Sequence, residues 1–95
     1  MIKVVAKNRF IADDAEKVLV SIEELIECTR QENGCISYEL FKLLEDPNIM
    51  TFIETWESKE CLDAHLKSEH FQRLFPQIDG CVAESFGLDL YELEK

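Results

Sequence analysis

Basic residues are scarce in this chain: Lys and Arg total 10 against 20 Asp and Glu, a formal charge of −10. Such a surface repels phosphate backbones and anionic headgroups, which argues against nucleic acid and membrane as partners. Long apolar runs are missing too, and none approaches the roughly 20 residues of a membrane span. The opening stretch MIKVVAKNRFIADDAEK lacks a signal peptide's apolar segment and small-residue cleavage site, so a cytoplasmic protein is expected. With only 2 prolines and 3 glycines, no linker, repeat or low-complexity segment divides the 95 residues, and one domain over 1–95 is expected. The 4 cysteines, at 28, 35, 61 and 81, form no C-x-x-C pair and are expected as reduced thiols. Cys61, His65 and His70 have no second ligand pair at zinc spacing, so no metal is expected.

What is present is patterned. The β-branched segment 2–10 reads as a strand. Ala15, Val18, Leu19, Ile22, Leu25, Ile26 and Thr29 recur at helical spacing, predicting a helix over about 13–32 that ends before Gly34. Strands over 35–44 and 49–56 flank an expected turn at EDPN, 45–48. Ser58 suits the N-cap of a second helix, with Leu62, His65 and Leu66 on one face. A further helical segment carries Phe71, Leu74, Phe75 and Ile78, and Pro76 should end or bend it. A last strand spans 81–93, where the break in alternation at Gly87 marks a bulge. The order β-α-β-β-α-β is the split βαβ, or ferredoxin-like, α+β arrangement: an antiparallel sheet with helices on one face.

Alternation sorts the strands into two faces. Val4, Ala6, Asn8, Ile36, Tyr38, Leu40, Met50, Phe52, Glu54 and Trp56 form the more apolar set, expected under the helices. The opposite face holds Val5, Phe41, Leu43, Ile49 and Ile53, a patch that self-association in a two-fold homodimer would cover. The helix-covered set contains an anomaly, because Asn8, Tyr38, Glu54 and Trp56 are polar or amphipathic and His65 faces them. Buried polar groups are costly unless paired, so this cluster suggests a pocket with aromatic walls and directed polar groups. The stretch ETWESKECLDAHLKSEHF, 54–71, holds the sole tryptophan and both histidines, and so lines one wall of that pocket. A histidine on an apolar helix face serves equally well as a hydrogen-bonded core residue.

ENGCISYEL, then DP, then FIETWESKECLDAHLKSEHF together resemble the antibiotic biosynthesis monooxygenase domain family: a Gly-Cys-x-x-Tyr strand, a Glu-x-Trp strand end, and Ala-His before a His-aromatic pair. The resemblance covers nearly the whole chain. It implies a dimeric α+β barrel and a cofactor-independent oxidation of a quinol-like or polycyclic aromatic by molecular oxygen, without metal, flavin or haem. In that reading His65 is the base and Asn8 orients the substrate or stabilises its oxyanion. Tyr38, Trp56, Phe71 and Phe75 wall the cavity, Glu54 holds a histidine tautomer or Trp56, and His70 belongs to the same substrate-binding region. Haem-degrading relatives carry a tryptophan in the second helix and a ligating histidine beyond it. This chain has His65 and Phe75 at those places, so haem is not expected. Relatives that isomerise a phosphorylated hydroxy-dione share the His and His-aromatic pair. An isomerase of a small hydroxy-carbonyl compound is therefore one alternative, and a non-catalytic dimeric module binding a small ligand is another.

Overall fold

The computed structural model describes residues 1–95. Four strands, β1 (Ile2–Phe10), β2 (Cys35–Leu43), β3 (Asp46–Trp56) and β4 (Val82–Glu92), form one sheet in the order β2-β3-β1-β4. Every neighbouring pair is antiparallel. Helices α1 (Ala15–Thr29), α2 (Lys59–Leu66) and α3 (Glu69–Asp79) cover one face, completing the ferredoxin-like α+β fold. Val18, Ile22, Leu25 and Thr29 form the buried stripe of α1, at the spacing that aligns one helical face. Val18, Ile22 and Leu25 meet Val4, Phe52 and Trp56 of the sheet and Leu62, Leu74 and Ile78 of the other helices in a single core.

The differences from the sequence reading have local causes. Helix α1 is shorter than 13–32. It starts after a 3-10 turn, Ala12–Asp14, and at its other end the Gln31 and Glu32 N–H groups bond Cys28 and Thr29 carbonyls, an i→i+3 unwinding. Gly34 follows at φ +84, where an added Cβ would collide with Cys61 Sγ and lie 2.8 Å from Cys61 Cβ. The hairpin turn narrows to Leu44 and Glu45, and Pro47 sits in β3. The β2–β3 ladder jumps there from Lys42↔Met50 to Leu43↔Asp46, so Pro47 owes it no donor. Ile36 falls at a second irregularity and is exposed rather than covered by helices. Ile49, expected in the open patch, is buried by its own chain.

Helix α3 continues through Pro76 to Asp79 instead of ending there. Leu74 and Ile78 are buried on either side of the proline, and the Gly80 N–H still bonds the Pro76 carbonyl. Packing holds the last turn although one backbone donor is missing. The expected bulge at Gly87 is present: Ala6↔Leu88 is followed by Asn8↔Ser85, so Lys7 alone faces Phe86 and Gly87. Gly87 takes φ +98 to make it.

Candidate active site

Ser58 caps α2, its Oγ accepting the Cys61 N–H at 3.2 Å. The helix so started turns Leu62 and His65 inward, one turn apart. His65 is 1 % exposed. Its ring is boxed by Trp56 and Phe71, each with centroids at 4.9 Å, and by Tyr38 at 5.2 Å. His65 Nδ1 lies 2.6 Å from Glu32 Oε2, and His70 Nε2 lies 2.6 Å from the same oxygen. A carboxylate only accepts, so both ring nitrogens donate. Neutral His65 is thereby held with its hydrogen on Nδ1 and its lone pair on Nε2. Nε2 has no protein partner and is not sealed off, and His65 lines a cavity of about 310 Å³. Burial lowers the His65 pKa, while the Glu32 carboxylate pulls it back up.

Above the sheet the cavity floor is Val4, Ala6, Asn8, Tyr38, Phe52 and Glu54. Leu66, Phe75, Leu88 and Leu90 are exposed and form its rim. Phe71 and Phe75 stack along one side at 5.0 Å. Glu54 Oε1 accepts the indole N–H of Trp56 at 3.0 Å. Burial pushes the Glu54 carboxyl up to about 7, against the lowering effect of that hydrogen bond, and the nearby Glu32 charge adds to the rise. Burial also drives the Tyr38 phenol far above its usual range, so it stays a neutral O–H. Asn8 makes no side-chain hydrogen bond within the protein, which leaves its amide free for a ligand. The site therefore offers one oriented lone pair, a carboxyl near its titration midpoint at neutral pH, and neutral polar groups on an apolar wall.

The family pattern described as "Antibiotic biosynthesis monooxygenase" matches residues 1–77. The chain belongs to the antibiotic biosynthesis monooxygenase family. A crystal structure named for an antibiotic biosynthesis monooxygenase is 36% identical, with a TM-score of 0.94 and 100% of both chains covered. A conserved protein from Methanosarcina mazei Go1 is 34% identical, with a TM-score of 0.95 over 98% of this chain and 92% of that one. An uncharacterized protein of Synechocystis is 26% identical over 95% of this chain and 62% of its own length. The chain thus spans only about three fifths of the curated relatives it matches. Membership in the family supports a monooxygenase-type or small-molecule-binding role.

In this family member, six of the expected site residues line the one cavity: His65, Asn8, Tyr38, Glu54, Phe71 and Phe75. Two do not. Trp56, expected as a wall, is wholly buried behind Glu54 and His65. His70, expected to touch substrate, lies behind His65 and binds Glu32. Of the two roles foreseen for Glu54, it takes the second, holding Trp56. The histidine's tautomer is held by Glu32, which the sequence reading passed over. Nothing in the spacing marks Glu32; it reaches the histidines because the end of α1 unwinds.

Proposed function

We propose that this protein is a cofactor-independent monooxygenase acting on a quinol-like or polycyclic aromatic, with molecular oxygen as co-substrate. The observation that carries this reading is His65 on the wall of an aromatic cavity of about 310 Å³, its Nε2 without a protein partner and its tautomer held through Nδ1 by Glu32. His65 Nε2 takes the phenolic proton of the substrate. The phenolate is electron-rich enough to react with oxygen directly, so the substrate supplies the electrons and no flavin, haem or metal takes part. For a hydroquinone the balance is hydroquinone plus O₂ giving hydroxyquinone plus water: one oxygen atom stays on the ring and the other leaves as water. Asn8 and protonated Glu54 donate hydrogen bonds to the developing oxyanion. Phe71, Phe75 and Leu66 keep bulk water from the reacting ring. The open sheet face, with Phe41 exposed and Val5, Leu43 and Ile53 half-buried, joins two copies into a homodimer in this reading.

The test is oxygen uptake with a panel of hydroquinones, wild type against His65→Gln. Glutamine keeps much of the volume and cannot act as a base near neutral pH. Turnover should fall about 10²–10⁴-fold, the usual contribution of a general base. Full activity in a folded His65→Gln protein would show that His65 only packs. Isomerisation of a hydroxy ketone without oxygen use would replace the monooxygenase reading with the isomerase one.

A further inference from the structure

Glu32, His65 and His70 converge behind the cavity wall. Its three donor atoms lie within 4.8 Å of one another, and they are one carboxylate oxygen and two imidazole nitrogens. That donor set suits a borderline divalent cation such as Zn²⁺. Glu32 and His70 keep 15% and 16% side-chain exposure, so the cluster is reached from solvent. The O···N separations of 2.6 Å are hydrogen-bond distances. Zinc bonds of about 2.0–2.2 Å in a tetrahedron place ligands about 3.3 Å apart, so Glu32 would withdraw by less than about 1 Å. Glu32 sits among turns beyond α1 rather than inside a regular element, so a shift of its side chain disrupts no helix or strand.

We propose that Glu32, His65 and His70 form a zinc-class site whose occupation switches off the base at His65. It rests on the preceding reading only for that consequence, not for the site itself. Without the ion, and with both imidazoles in the neutral form, each points its single N–H at Glu32 and the lone pair of His65 lies on Nε2. Zn²⁺ takes the two nitrogens that faced Glu32. Each ring keeps one hydrogen, so these move through water to the outer nitrogens, His65 Nε2 and His70 Nδ1, with no net release of protons. His65 then presents an N–H donor to the cavity and accepts no proton from a substrate. The ion itself stays behind the ring, so it inhibits by tautomer exchange rather than by filling the cavity.

The experiment uses the full chain, freed of metal by chelation, and ZnCl₂ as the probe. Calorimetric titration should give one ion per chain. At a hundredfold excess over Kd, Tm should rise by roughly 10 °C or more. His70→Ala and Glu32→Gln should each weaken binding at least about 10–100-fold. His70 is partly exposed, so His70→Ala keeps the test sound if Glu32→Gln fails to fold. Long-range ¹H–¹⁵N correlation should show the His65 hydrogen on Nδ1 before zinc and on Nε2 after it. No stoichiometric binding, equal binding by His70→Ala, or an unchanged His65 tautomer would each overturn the proposal. Neither readout needs turnover. A protein that binds zinc but oxidises no hydroquinone would sink the oxygenase reading alone.

Discussion

Replacing Glu54 with glutamine should stabilise this protein, and only above acidic pH. Glu54 is 7 % exposed, and burial pushes its carboxyl from an ordinary 4.5 up to about 7. The folded pKa is raised, so below about 4.5 both folded and unfolded chains hold the proton and no stability is lost. Between 4.5 and 7 the unfolded chain releases its proton while the folded chain keeps it, and stability falls as pH rises. Above 7 the loss is complete. At about 1.4 kcal/mol per pKa unit it amounts to about 3 kcal/mol. The substituted amide cannot ionise, and its carbonyl still accepts the Trp56 N–H. Urea unfolding at pH 5 and pH 8 checks the claim. The variant should match the wild type at pH 5 within about 1 kcal/mol and exceed it by about 2–3 kcal/mol at pH 8. A difference that does not change with pH, or a variant weaker at both, would refute burial of an ionisable carboxyl as the cause.

Gly34→Ala meets both a positive φ and a collision with Cys61 Sγ, and should cost about 2–3 kcal/mol in thermal melts. Adding Cys61→Ala should recover only part of that, since the Cys61 Cβ at 2.8 Å and the φ of +84 remain. Phe41→Asp with Ile53→Asp places charge on the open sheet face and should give monomer in sedimentation where the wild type sediments as a dimer. A wild type that runs as an 11.1 kDa species at micromolar concentration would remove the basis for that face as an interface.

Strand and helix positions were legible because period 2 and period 3.6 are written into the residues that face the core. Val18, Ile22, Leu25 and Thr29 spell α1, and Val4, Phe52 and Glu54 spell the covered face. Depth was less legible. Alternation says which face a side chain takes, not how far it lies from a cavity, so Trp56 was expected as a wall and proved to be backing. Ile36 escaped because a ladder irregularity shifts its register, an event that period-2 alternation does not announce. Pro76 misled in the other direction, since the burial of Leu74 and Ile78 outweighs one missing donor. Glu32 was beyond reach: it stands 33 and 38 residues from its two partners, and its direction depends on how the last turn of α1 loosens.

Trp56 is the only tryptophan in the chain, and its ring lies 4.9 Å from His65 and bonds Glu54. The molecule therefore carries its own optical probe, fixed against two of the groups that would handle a ligand. Its emission reports on a single environment, with no second indole to blur the signal. Imidazolium quenches indole light and neutral imidazole does so weakly, so a change of charge on His65 registers as brightness. Entry of an aromatic compound into the adjoining space registers as energy transfer or a spectral shift. Stopped-flow fluorescence on unlabelled protein can then time occupancy separately from oxygen consumption.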